Sequence, residues 1–197
     1  MEELALTIQG DALAAKQAWD EISASAAPVL AALCNGLIEA SFTSEPSNWG
    51  VLRGNHVVQE AVLAKLQLDR QQLLDQLNSA VDKLSFWYDE LKTLLFQVRQ
   101  HCDAVAGLAK PEKLVARTCS VFDFEEIVDE LVAQVGQDLA CKRDMIADLQ
   151  EISDDVDERF DATTRDSLLL YLSTWTERPT INPSRWLDVE NVLVGEA

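Results

Sequence analysis

The chain has 197 residues, 48% of them apolar, with only 7 glycines and 5 prolines, a balance that favours helices over a turn-rich β fold. Its formal net charge is −18, from 34 acidic and 16 basic side chains, and most of the excess lies in residues 111–197, which hold 20 acidic and 8 basic residues. Such a field repels nucleic acid and anionic lipid, so neither is expected as a direct ligand, and the near-neutral residues 56–110 are where a large protein partner docks without repulsion.

The elements follow in chain order. From residue 13 to residue 40, apolar residues at Ala15, Trp19, Ile22, Ala26, Val29, Leu33 and Leu37 step by three and four, which describes one helix face, with Asp11 as a plausible cap. Pro28 falls inside this run and is expected to bend or split the helix, because it lacks the amide for the preceding turn. Residues 41–54, rich in Ser, Pro, Asn and Gly, are expected to form a mobile linker.

The strongest signal is residues 57–108. Leu77, Leu84, Leu91, Val98 and Val105 are successive d positions of a heptad, and Leu66, Leu73, Ala80, Trp87, Leu94, His101 and Leu108 are its a positions. No Gly or Pro interrupts residues 57–106, so a single coiled-coil-like helix of ~75 Å is expected. Gly107 and Pro111 mark a turn, and a second long helix is expected from Phe124 to Phe160, capped by Asp123 and turning polar at Asp138 and Lys142. This second helix is roughly 10–15 residues shorter than the first, so part of the first seam needs another cover. A polar break at residues 161–166 precedes a compact helix bearing Tyr171 and Trp175. Arg178-Pro179 ends it, and Ser184 caps a last helix stopped by Gly195. The expected fold is all-α: an elongated bundle with an antiparallel coiled-coil hairpin and a short C-terminal helical pair. Its segments are 1–55 (helix and loop), 56–161 (long hairpin) and 162–197 (aromatic-rich pair).

Little in the sequence suggests catalysis. There is no Gly-rich phosphate loop and no HExxH or GxSxG pattern, and neither His56 nor His101 stands beside a nucleophile motif. Cys34, Cys102, Cys119 and Cys141 are far apart and read as reduced, mostly buried thiols, whereas a zinc site normally draws its ligands in close pairs. The acidic run Asp148, Glu151, Asp154, Asp155, Asp157, Glu158 and Asp161 fails as a calcium loop, since Arg159 stands where an oxygen ligand belongs, and reads as a solvated face or a docking surface for a basic partner. Arg185-Trp186-Leu187 has the form of a cyclin-docking RxL sequence, and no Ser or Thr precedes a proline. No cofactor, no metal and no membrane span is expected: no apolar run approaches 18 residues, and Met1-Glu2-Glu3 lacks the basic start of a secretory signal. The candidate partner-binding residues are Leu77, Leu84, Trp87, Leu91, Leu94 and Val98 on the seam, with Tyr171, Trp175 and Trp186 as aromatic anchors.

Three stretches carry a family resemblance. Leu139, Lys142-Arg143 and Leu149 follow Phe124, Glu126 and Leu131 in register; Tyr171-Leu172-Ser173 leads to Trp175 and, four residues on, Pro179; and Ser184-Arg185 opens the last helix. Over residues 123–193 the chain resembles the cyclin-dependent kinase 2-interacting protein family. Upstream only the pattern agrees, a Trp19-bearing helix, a loop and a long heptad helix; where the family pattern has Thr-Trp-Pro, this chain has Thr118-Cys119-Ser120. The resemblance implies a non-catalytic nuclear and cytoplasmic adaptor linked to DNA replication, checkpoint signalling and cell-cycle kinases. It further implies a subunit, paired with a second small helical protein, of an AAA ATPase complex serving late large-ribosomal-subunit maturation and replisome turnover. A heterodimer is thus expected over the alternative, a homodimeric coiled-coil tether.

Overall fold

The computed structural model describes residues 2–106, 114–116, 119–156 and 160–194. Three long helices, α1 (Glu2–Ser44), α2 (His56–Ala106) and α3 (Val121–Asp154), pack antiparallel as a bundle, joined by the shorter α4 (Ala162–Glu177) and α5 (Pro183–Val194). A 3-10 segment, Pro46–Leu52, links α1 to α2, and two short strands, β1 (Leu114–Ala116) and β2 (Cys119–Ser120), pair antiparallel before α3. Gly107, Pro111, Asp157, Glu158, Arg159 and Gly195 lie outside the described residues.

Pro28 does not split α1, which runs unbroken through it. Both Pro28 and Ala24, the residue whose carbonyl loses its donor, are exposed, so the missing hydrogen bond falls on the solvent side of the helix and not in the core. The expected linker is also more ordered than its composition suggests. Asn48 Nδ2 donates to the Phe42 carbonyl (2.6 Å) and Trp49 Nε1 to that of Thr43 (2.8 Å), satisfying carbonyls that the last turn of α1 leaves open. Gly50, at φ 52°, makes the sharp bend in this segment that a side chain would resist.

The helix starts correct the sequence reading. Asn55 caps α2, its Oδ1 accepting the Val58 amide (3.2 Å). At α3 the cap is Ser120, not Asp123. Ser120 Oγ accepts the Asp123 amide while the Asp123 carboxylate accepts the Ser120 amide (2.9 Å), a reciprocal box that holds the Asp123 carboxyl below the usual range. Asp161 caps α4, which therefore begins inside the expected polar break, and Arg178 closes it in a left-handed conformation (φ 48°). The last helix is capped by Asn182, not Ser184: Oδ1 accepts from Ser184 N and Arg185 N, with Pro183 in the first turn. α3 stops at Asp154 rather than reaching Phe160.

The chain divides into two compact units. Unit 1 holds Met1–Ile22, Lys83–Ala140 and Pro179–Ala197, and unit 2 holds Ser23–Asp82 and Cys141–Arg178, so each long helix contributes to both. In unit 1 the core comes from Ile8, Ala12 and Trp19 of α1, Leu84, Leu91 and Val98 of α2, Phe124, Leu131 and Val135 of α3, and Trp186, Val189 and Leu193 of α5. In unit 2 it comes from Leu30, Leu33 and Leu37 of α1, Leu74 and Leu77 of α2, Met145 and Leu149 of α3, and Leu168 and Trp175 of α4. The spacings of three, four and seven residues within each set keep to one helix face, the period read from the sequence.

Candidate functional site

Most of the residues marked for a partner are spent on the chain's own core. Leu77, Leu84 and Leu91 are fully buried, and Leu94, Val98, Trp175 and Trp186 are buried. Trp87 is half-buried, edge-on to the exposed Phe86 with ring centroids 5.4 Å apart. Tyr171 is half-buried, and its hydroxyl donates to Asp148 (2.7 Å). The seam from Leu74 to Cys102 is therefore closed within the molecule, because α1 supplies a third apolar stripe as long as the seam requires.

Closure brings together polar groups that the heptad alone does not relate. In unit 1 the ammonium of Lys16, 2% exposed, lies 2.7 Å from Glu190 and 3.4 Å from Asp20, and 4.8 Å from the centre of the Trp186 ring. Trp186 Nε1 donates to the same Asp20 oxygen (3.1 Å), and Trp19, fully buried, donates to Asp138 (2.9 Å). Gln9 donates to the carbonyl of Leu193 (2.6 Å), and Arg185 to Glu130 through Nε (3.0 Å) and Nη2 (2.5 Å), which pins both ends of α5. In unit 2 the ammonium of Lys142, fully buried, sits 4.9 Å from the centre of the Trp175 ring, whose Nε1 donates to the Ser23 carbonyl (3.0 Å). Each short helix is thus held by one tryptophan laid on one buried lysine. The polar gap noticed at Asp138 and Lys142 is where α3 meets two of these tryptophans. Lys16 was missed; its signal is a single lysine on the apolar stripe of α1, between Ala15 and Trp19.

The same arrangement rules on the weaker motifs. Arg185-Trp186-Leu187 offers no free docking sequence, since Arg185 is bound to Glu130 and Trp186 is buried, leaving Leu187 exposed. Cys34 and Cys102 are buried, and burial pushes their thiols up to about 11 and about 12; the neighbouring Glu125 adds to the rise at Cys102. Burial and the bond to Asp148 push the Tyr171 phenol up to about 12. All three are neutral acids whose ordinary values, 9 for the thiols and 10 for the phenol, apply once the chain unfolds. The native state then holds protons that the unfolded chain has released, so stability falls as pH rises from about 9 towards 12. Urea midpoints at pH 8 and pH 11 should show this loss, and C34A/C102A should flatten it. Among the described residues no three His, Cys, Asp or Glu side chains are placed to hold a metal ion.

One stretch of the seam is left open. Residues 56–69 of α2 are exposed or half-buried throughout: on the seam face Val62 is 37% and Leu63 39% exposed and Leu66 is half-buried, whereas Val57 (77%) and Leu68 (57%) lie on the opposite face. The reason is length: α2 has 51 residues and α3 has 34. Asp154, the last residue of α3, lines a cavity of about 220 Å³ together with Ala40, Leu63, Gln67, Arg70 and Val156. Leu63 is thus level with the end of α3, and ahead of it α2 runs on for the seven residues 56–62, about 10 Å at ~1.5 Å each. α1 also contains a stretch, Thr7–Ser44, long and apolar enough by composition to cross a membrane, contrary to the reading that no such run exists; its buried Ala12, Ala15, Trp19, Leu30, Leu33 and Leu37 are the marks of a core helix.

Compared with known proteins, the chain matches no family model and no curated protein.

Proposed function

We propose that this chain is a non-catalytic helical adaptor subunit that binds a second helical protein. The observation that carries the reading is the less covered start of α2, where Val62 and Leu63 on the seam face are 37% and 39% exposed while Leu74, Leu77, Leu84 and Leu91 further along it are fully buried. Monomeric proteins seldom leave a contiguous apolar helix face unpaired, and where they do it marks an interaction site. The closed part of the seam supports the chain's own fold, so a partner engages this open end and not Leu84, Leu91 or Val98.

The resemblance over residues 123–193 gives the adaptor a setting: a heterodimeric subunit of an AAA ATPase complex acting in large-ribosomal-subunit maturation and replisome turnover, with links to replication, checkpoint and cell-cycle kinase factors in nucleus and cytoplasm. The test is purification of the full chain from its native source under gentle salt. A helical co-subunit in 1:1 ratio, carrying an ATPase with it, is the expected result. A chain that sediments as a monomer and recovers no stoichiometric partner would overturn the reading, and a parallel self-dimer on crosslinking would favour a homodimeric tether instead.

A further inference from the structure

We infer that the open end of α2 in unit 2 is a docking site for one amphipathic helix from another polypeptide, one that carries lysine or arginine along the flanks of its apolar stripe. This deepens the adaptor reading and rests on it.

The site is built from three elements. On α2, Val62, Leu63 and Leu66 continue, at helical spacing, the face that holds the buried Arg70, Leu74 and Leu77. Ala40 of α1 and Val156, just past α3, close the inner wall of the cavity that Leu63 lines. Because α3 ends at this cavity, level with Leu63, the missing cover is one helix wide, and its length is set by residues 56–62 of α2, which run on past it. An occupant of about two turns, ~10 Å long, covers them and reaches the cavity at Leu63. Side chains inserted at its apolar positions complete the same three- and four-residue interdigitation that the rest of the bundle uses.

Charge selects the occupant. The charged residues at the site are Glu60, Asp69, Asp154 and the half-buried Asp155 against Lys65 and the buried Arg70, a net acidic border. Asp154 also lies at the carbonyl end of α3, where the helix dipole already favours cations. A second copy of this chain would set one charge of −18 against another, which disfavours self-association through this face. A helix with basic flanks meets both the apolar stripe and the acidic border.

The probe is a synthetic amphipathic peptide of about three heptads, with leucine at a and d and lysine at e and g, compared with one carrying glutamate at e and g. Binding is read by fluorescence anisotropy against the full folded chain. The lysine peptide should bind at least about tenfold more tightly than the glutamate peptide. The variant L63E/L66E should weaken it by at least about tenfold, whereas L68E, on the opposite face of α2, should leave it unchanged. E60K/D69K should erase the preference for lysine. Equal binding of both peptides, or equal loss in L68E and L63E/L66E, would overturn the site. Unchanged melting curves of all variants establish that the fold is intact; should L63E/L66E melt early, the charge-reversed E60K/D69K, changed only at exposed residues, decides. The two readings fail separately. If a native co-subunit still copurifies with L63E/L66E, the adaptor stands and this site falls; if the wild type recovers no co-subunit yet the lysine peptide binds here, the site stands and the adaptor reading falls.

Discussion

Replacing Leu84 and Leu91 together by aspartate should abolish folding of the part of the bundle they occupy, and no partner should rescue it. Both side chains are fully buried in unit 1, with leucine, valine and tryptophan side chains among the other core residues. An unpaired carboxylate in such a place costs several kcal/mol after relaxation, about 3–5 for each in comparable cases. Two of them, about 6–10 kcal/mol together, are comparable with the ~5–15 kcal/mol that a domain has in total. Loss of helical circular dichroism at 25 °C, together with rapid cleavage by a low dose of protease, is the expected outcome. A double variant that melts like the parent but loses only a binding partner would mean that the seam faces outward after all. The same pair of substitutions therefore separates a core seam from an interface seam.

The second large effect should come from Trp175→Ala, at about 3–5 kcal/mol. The indole is 1% exposed, its Nε1 donates to the Ser23 carbonyl, and its ring covers the ammonium of the fully buried Lys142. Removing it opens a large cavity, strips a buried carbonyl of its donor and takes the aromatic face away from a charge that cannot reach bulk water in place. For a chain of this size the melting temperature should drop by roughly 6–20 °C. A double-mutant cycle with Lys142→Met should return a coupling of about 0.5–2 kcal/mol, because the lysine and the indole stabilise each other. A Trp175→Ala protein with an unchanged urea midpoint would contradict this account and return the residue to the role of an exposed anchor.

The two experiments bear on why some features were legible in the chain and others were not. The extent of α2 was readable because nothing in residues 57–106 breaks a helix and the apolar residues recur at a fixed period. Caps were read one motif out of place. At α3 the acidic residue was recognised but assigned Ser120's position, since a capping box is reciprocal and composition does not say which member comes first. At α5 the residue before the proline, Asn182, turned out to hold the first amides. The β1–β2 pair was not foreseen, because strands of three and two residues leave no alternating pattern to detect. Pro28 was given too much weight: a proline on the solvent face of a long helix loses one hydrogen bond to water and nothing from the core.

The candidate site shows the same division. A heptad seam announces that a helix face will be covered, yet it is silent about the cover, and here α1 takes the role first assigned to a partner. Leu77, Leu84, Leu91, Leu94 and Val98, expected to pack against a partner, are buried within the chain's own fold, and Trp87 is half-buried. The comparison of helix lengths was more informative, since a shorter third helix leaves bare residues somewhere on the second. Which residues those are depends on the register between the helices, which sets Leu63 and Arg70 around one cavity with Asp154.

By itself, then, the sequence determined that the protein is helical, that its longest helix carries an unbroken apolar seam, and that its net charge is strongly negative. These properties are local or additive: periodicity, the absence of breakers and the sum of charges all act within one turn or over the whole chain. Only the tertiary structure decided that the seam closes on α1, that Lys16 and Lys142 are buried beneath tryptophans, and that the first turns of α2 remain open. Those outcomes turn on which helix lies beside which, at what register, and where each one ends. That information resides in contacts between residues more than a hundred positions apart, such as Trp19 with Asp138 and Lys16 with Glu190, and no single helix contains it.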